Sequence, residues 1–260
     1  MCVMSPAPMS PHSRVPAPVS AGASHRLVGL EPPKYYQVRT EIEEILRGLD
    51  EGDTVPPERA LSERFAVSRE TVRQALHDLL LEGRITRRGR GTVVAAPKLV
   101  QPLSLQSYTE GAKKQGREPG RLLVRFDEVP ADDTLSAGLD VVPGAPVLHL
   151  ERVLLADGDA LGLETTFLPV DRFGALADTF DPETSLYAAL RAQGVSFAVA
   201  EERIETVLAS PREAALLETT TAMPMILLHR RSLDTDGRPI EMVRSLYRGD
   251  RVAFQAVLRD

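Results

Sequence analysis

Residues 68–73 read Ser-Arg-Glu-Thr-Val-Arg, and the two arginines, Arg69 and Arg73, stand four positions apart. On a helix that spacing sends both side chains out from one side near the N-terminus. The planar fork of an arginine placed there can bond guanine O6 and N7 in a DNA major groove. Ser68 suits the N-cap, and with Thr71 it can reach phosphate oxygens beside the unpaired N–H groups of the first turn. A second basic element follows, since residues 84–91 hold four arginines and no acidic residue. Gly91 in that stretch has no side chain to hold the backbone off a narrow groove. Further along, Arg152 and Glu164 fall on the two strands of one predicted hairpin. They either face a ligand or form a cross-strand ion pair, and both readings stay open.

Other chemistries find little to work with. The five histidines never pair at the i, i+3 or i, i+4 spacing of a zinc helix. The one cysteine, Cys2, excludes a disulfide framework and a cysteine metal site. There is no nucleophile–base constellation and no phosphate loop, so no catalytic residue, metal or cofactor is expected. No apolar run is long enough to span a bilayer, and residues 1–30 lack the apolar stretch of a secretory signal. With 43% hydrophobic and 26% charged residues, the composition is that of a soluble globular chain. We expect a cytoplasmic protein with no membrane partner.

The net charge of −6 argues at first against nucleic acid, but its distribution does not. Residues 58–100 carry nine basic and five acidic side chains, whereas residues 101–260 carry 17 and 25. A small basic module is joined to an acidic one, and a DNA footprint need only be local.

The elements that position these residues can be read from periodicity. Residues 1–30 are rich in Pro, Ala and Ser and are expected to be a disordered tail. A helical stripe covers 36–49, a short helix carries Leu61 and Phe65, and a third helix covers 69–82 with Val72, Leu76, Leu79 and Leu80 inward. Two short β runs, 84–87 and 92–94, read as a hairpin, giving a winged helix-turn-helix over 31–95. A linker follows at 96–104. The rest, 105–260, mixes strands at 122–126, 147–155, 161–168, 199–207, 225–233, 240–247 and 252–258 with helices at 107–115, 132–139, 185–193 and 211–217. Asp157-Gly158 and Asp236-Gly237 are hairpin turns. Sequential hairpins predict a mainly antiparallel sheet with helices on a face, and the fold class is α+β.

A weak internal repeat runs through this part. Pro146 matches Pro224, Arg152 matches Arg230, Gly158 matches Gly237 and Glu164 matches Glu241, at offsets of 78, 78, 79 and 77 residues. Two such halves would pack about a pseudo-twofold with a cleft between them, although two hairpins can also match by chance.

Residues 34–94 resemble the DNA-binding domain of the GntR family of bacterial transcription regulators. The carriers are Tyr35-Tyr36-Gln37-Val38, Pro56-Pro57-Glu58-Arg59-Ala60-Leu61, Ser68 to Leu76 and Gly89-Arg90-Gly91-Thr92-Val93-Val94. Pro57 stands where the family usually has Ser. The resemblance implies that Arg59, Ser68, Arg69, Glu70, Thr71 and Arg73, with the wing residues Arg90, Gly91 and Thr92, meet double-stranded operator DNA. It also implies a homodimer on a pseudo-palindromic site.

Residues 105–260 resemble the UTRA effector domain of the HutC subfamily, which has a chorismate-lyase-like fold. The carriers are Leu105 to Glu110, Glu151-Arg152-Val153, Glu164-Thr165-Thr166, Thr184-Ser185-Leu186-Tyr187 and Ser245 to Asp250. Within the subfamily the likeness is to repressors that respond to phosphorylated amino sugars such as glucosamine-6-phosphate or N-acetylglucosamine-6-phosphate. By that resemblance Gln106, Ser107, Tyr108, Arg152 and Ser185 would hold a phosphate. Glu164, Thr166, Glu241 and Tyr247 would take the sugar's hydroxyl or amino groups. Leu154 stands where those regulators carry a second arginine, which leaves room for a different or unphosphorylated effector, or for a pocket that binds nothing. A lyase using Glu164 and Glu241 as acid and base is the remaining alternative, for which fold likeness alone is no warrant.

Overall fold

The computed structural model describes residues 32–258. The expected tail at 1–30 lies outside them. Three helices open the described chain: α1 (Lys34–Arg47), α2 (Glu58–Phe65) and α3 (Arg69–Leu81). Each buries a narrow apolar stripe in one cluster that includes Val38, Ile42, Leu46, Leu61, Val72 and Leu79. The turn between α2 and α3 is set by Ala66, whose φ of 51° is left-handed, and by Ser68, whose side chain caps α3 by accepting from the Thr71 N–H. Strands β1 (Ile85–Arg88) and β2 (Gly91–Val94) form the hairpin, with Arg88 opposite Gly91. Gly89 supplies the positive φ at its tip (58°).

The segment expected as a linker contains a strand. β3 (Leu99–Pro102) pairs in parallel with β10 (Val252–Gln255), the most C-terminal strand of the described chain. Their partnership spans most of the chain, and local periodicity gives no sign of it.

Between them lies one six-stranded antiparallel sheet. In chain order come α4 (Tyr108–Lys114), β4 (Pro119–Pro130), α5 (Asp133–Leu139), β5 (Pro146–Ala156), β6 (Asp159–Pro169), α6 (Val170–Phe173), α7 (Leu176–Thr179), α8 (Leu186–Ala192), β7 (Phe197–Leu208), α9 (Pro211–Leu216), β8 (Pro224–Asp234) and β9 (Pro239–Arg248). The spatial order β4-β5-β6-β9-β8-β7 is palindromic about the β6–β9 pair. Each half is therefore a capped helix, a long strand, a second capped helix and a hairpin. Helices lie on both faces, not on one. Strand residues Leu148, Leu150 and Leu154 meet α4 and α6–α8, while Val153, Leu163 and Leu227 on the other face meet α9. Burial on both faces explains the unbroken apolar stretches within these strands, such as 153–156 in β5 and 225–228 in β8.

The DNA-type module is packed directly on this sheet domain. Leu80 belongs to the helical core and, with Leu81, also packs against the cluster around Met225 and Leu246. Arg251 donates to the Thr86 hydroxyl on β1 at 3.1 Å, and Lys98 donates to the Gly249 carbonyl at 2.7 Å. No helix among the described residues is long and apolar enough to cross a membrane.

Candidate functional site

The first candidate surface is built by α3 and the wing. Ser68, Arg69, Glu70, Arg73 and Arg90 are exposed, and Thr71, Gly91 and Thr92 are half-exposed. The two arginines are held differently. Arg69 has no polar partner among the described residues, whereas Arg73 donates to Glu70 at 2.7 Å and to Glu58 at 3.3 Å. Glu70 and Glu58 thereby hold the Arg73 guanidinium at the junction of α2 and α3. Arg59, on α2, lies 3.8 Å from Glu63 and remains largely exposed. Ser68 and Thr71 share a hydroxyl–hydroxyl bond of 2.9 Å. Arg87 donates to the Thr92 hydroxyl at 3.3 Å, across the wing.

The second candidate is a cleft between the two halves of the sheet domain. It encloses about 660 Å³ of space not filled by atoms, part of it open solvent. Register explains its floor. Arg121 stands opposite Leu154, Leu154 opposite Gly162, and Gly162 opposite Tyr247, so this row shares one face of the sheet. Two residues along, Arg152, Glu164 and Ser245 form the next row on that face. Gly162 lets the Tyr247 ring lie across the sheet, since a Cβ there would sit 2.7 Å from Tyr247 Cδ1.

Of the residues expected to meet an effector, Gln106, Ser107, Tyr108, Glu164, Thr166, Ser185, Glu241 and Tyr247 line this cleft. Arg152 does not. It is 2% exposed, donates to Glu164 Oε1 at 2.8 Å, and donates to the Pro182 and Thr184 carbonyls at 3.2 and 3.1 Å. The ion pair and the brace on the 182–184 loop use both its terminal nitrogens, so it cannot offer them to a ligand without giving up those bonds. Ser107 is occupied as well. Its hydroxyl accepts from the Glu110 N–H, while its own N–H donates to Glu110 Oε2, a capping box that starts α4. The Ser107 N–H bond, with Arg191 nearby, holds the Glu110 carboxyl below its ordinary range. The Tyr108 hydroxyl donates to the Leu155 carbonyl at 2.6 Å, so Tyr108 offers its ring rather than its oxygen.

Ten lining residues were not among the sequence candidates, and three of them carry the polar chemistry considered next: Arg121, Tyr187 and Arg230. Arg230 could have been found from the repeat, where it matches Arg152. Its bonding repeats too. Arg230 donates to the Ser104 carbonyl at 3.2 Å, and Ser104 precedes Pro182 by the same 78 residues that separate the two arginines. Each half thus extends an arginine to the loop that leads into the other half's cleft helix. Arg230 also donates from Nε to Glu202 Oε1 at 2.6 Å and to the Tyr187 hydroxyl at 3.0 Å. Glu241 is fully buried; its Oε1 accepts from Tyr187 and from Ser232 at 2.8 Å, and its Oε2 has no partner. Burial pushes the Glu241 carboxyl above its ordinary range, against the pull of Tyr187 and Arg230. Gln101 Nε2, Arg121 Nε and Arg152 Nε are likewise buried without partners, though Arg152, unlike Arg121, has a carboxylate counter-ion. A cleft that carries unsatisfied donors and acceptors of both charges is built to receive a polar molecule.

A winged helix-turn-helix with an arginine-bearing third helix, packed on a domain that holds such a cleft, defines a ligand-controlled transcription regulator. The comparisons place it further. Residues 34–94 match the bacterial regulatory proteins of the gntR family, and residues 114–253 match the UTRA domain. The chain belongs to the GntR family, in the HutC-type branch that carries a UTRA domain. It is 51% identical to the HTH-type transcriptional repressor PhnF of Mycolicibacterium smegmatis over 92% of this chain and 96% of that one. Identity to the HTH-type transcriptional repressor NagR of Bacillus subtilis is 32%, over 85% and 93%. The crystal structure of PhnF from Mycobacterium smegmatis is matched at 53% identity with a TM-score of 0.64, covering 85% of this chain and 99% of that one. The chain is a DNA-binding transcriptional repressor with a small-molecule effector domain.

Proposed function

We propose that this repressor binds operator DNA in the cytoplasm as a homodimer and that its affinity is set by a phosphorylated amino sugar, such as glucosamine-6-phosphate or N-acetylglucosamine-6-phosphate, bound in the cleft. The observation that carries the effector reading is the two-ended lining. The Arg121 guanidinium, which has no carboxylate partner among the described residues, stands on the same cleft as the side chains of Glu164 and Glu241. A ligand with an anionic group and an amine or hydroxyls answers both ends. The free Oε2 of Glu241 is an acceptor for such an amine or hydroxyl.

The homodimer reading is supported by the two sheet edges. β4 exposes Leu122 and Leu123, and β7 exposes Val199, Ile204 and Leu208, so both unpaired edges carry apolar side chains. A twofold dimer would set two recognition helices on half-sites about one helical turn apart. Effector binding would then shift the population between arrangements that suit the operator and those that do not.

The test is calorimetric titration of full-length protein with both sugar phosphates and with their unphosphorylated forms. Phosphate-dependent binding that changes operator affinity is the expected result. Binding of none of the four, or equal binding of glucosamine and its phosphate, would remove the amino-sugar-phosphate reading.

A further inference from the structure

Arg121 and Arg230, which line the cleft, and Arg152 beneath it differ in their counter-charges. Arg152 is neutralised by Glu164, and Arg230 by Glu202. Arg121 is 8% exposed, yet no carboxylate among the described residues lies within ion-pair distance of it. One terminal nitrogen donates to the Thr109 hydroxyl at 2.7 Å, the guanidinium lies 5.8 Å from the centre of the Tyr108 ring, and Nε is buried with no partner. Its cross-strand neighbour Leu154 is fully buried and apolar, so β5 supplies no competing charge at this row. A buried cation with neither a counter-ion nor a full set of acceptors is costly to keep, and folded chains keep such groups where a ligand completes them. Burial, and next the nearby Arg152, lowers the Arg121 pKa from the ordinary arginine range, which an arriving anion would reverse.

We propose that Arg121 is the anion-anchoring residue of this cleft, taking the phosphate ester of the effector on its unpartnered Nε edge while Arg152 and Arg230 brace the loops around it. This rests on the reading of the cleft as the effector site. The guanidinium lies over the Tyr108 ring and Thr109 accepts from one terminal nitrogen, so the group is held in a set direction. An arginine rather than a lysine suits the task, because one edge can offer two parallel donors to two phosphate oxygens.

The experiment compares wild type, Arg121→Met and Arg121→Lys in the full-length protein, with three probes: glucosamine-6-phosphate, glucosamine and inorganic phosphate. Calorimetry reads the first two, and the thermal unfolding midpoint in phosphate against chloride at equal ionic strength reads the third. Without ligand, Arg121→Met should unfold no earlier than wild type, since it removes an uncompensated cation and keeps the stem's volume. It should bind glucosamine-6-phosphate at least about tenfold more weakly, the scale of one lost charge-assisted hydrogen bond, and leave glucosamine binding unchanged. Arg121→Lys should recover part of the loss. Phosphate should raise the midpoint of wild type and not of Arg121→Met. If wild type ignores the sugar phosphate but keeps an Arg121-dependent response to inorganic phosphate, the amino-sugar reading fails and the Arg121 assignment stands. Equal affinity of wild type and Arg121→Met for glucosamine-6-phosphate overturns the assignment and leaves the cleft reading intact. No Arg121-dependent response to either phosphate probe also overturns it.

Discussion

Arg69 and Arg73 leave one helix with different freedom, and the difference should appear in DNA binding. Arg69 is unpartnered and can turn to a base edge at little cost, whereas Arg73 must keep or exchange its bonds to Glu58 and Glu70. Replacing either with Ala should cost about 1–3 kcal/mol of operator affinity and relax base preference. Gel-shift competition with single-base operator variants checks this. A loss that is uniform across sequences would mark a phosphate contact instead. Glu241 offers a second residue-level prediction. Its folded-state pKa is raised, so between the unfolded pKa, about 4.3, and the folded one the native state binds more protons. Stability should therefore fall as pH rises through that window, and burying this group is a cost in the unliganded protein above the unfolded pKa. Glu241→Gln keeps an acceptor for Tyr187 and Ser232 and should raise the neutral-pH unfolding midpoint by about 2–4 °C, an effect of the order of 1 kcal/mol. It should also flatten the decline above the unfolded pKa, and a midpoint series against pH reads both.

At the scale of elements, most of the helix and strand order was legible because caps and turns stand in the sequence as chemistry, while the single-turn helices α6 and α7 were missed. Ser68, Ser107, Ser185 and Ser210 all cap helices, and Asp157-Gly158 turns β5 into β6. The repeat, left open by its four matched residues, is matched by the palindromic strand order and by the paired loop contacts of Arg152 and Arg230. What else escaped was long-range. The β3–β10 pairing joins segments about 150 residues apart and carries no local signature. Arg121 escaped because its significance lies in what is absent around it, which no spacing encodes. Arg152 was placed in the cleft by resemblance, while in the fold its terminal nitrogens are spent on Glu164 and the 182–184 loop. The sheet also explains a glycine. Gly162→Ala would press on the Tyr247 ring and on the Leu246 carbonyl, 3.0 Å from the new Cβ. It should cost about 1–3 kcal/mol of stability through overpacking and weaken effector binding by displacing the ring. Chemical denaturation and calorimetry would show the two effects; an unchanged titration would mean the ring moves away from the cleft.

For the whole molecule, the contact between the two domains runs through few side chains. Arg251 bonds Thr86 on the wing strand β1, and it also bonds Asp159 at 3.0 Å. Gly83 follows α3 with a φ of 72°, and a side chain there would strike the Asp250 carbonyl. Arg251→Ala should leave both domains folded and change the effector's leverage on operator affinity by about 0.5–2 kcal/mol, measured as the ratio of DNA affinities with and without effector. The fragment 97–260, which retains β3, should fold and bind no DNA, in keeping with the acidic balance of residues 101–260. Retained operator affinity would overturn the division of labour. The β3–β10 ladder has a further consequence during synthesis. Domains fold as they emerge, N-terminal first, so the DNA-reading helices up to Val94 are complete while most of the chain is still to be made. Residues 99–102, which border the cleft, must wait for residues 252–255 to arrive. A chain cut short would therefore carry the DNA-reading helices without the completed cleft or the sheet edges proposed to pair its two copies.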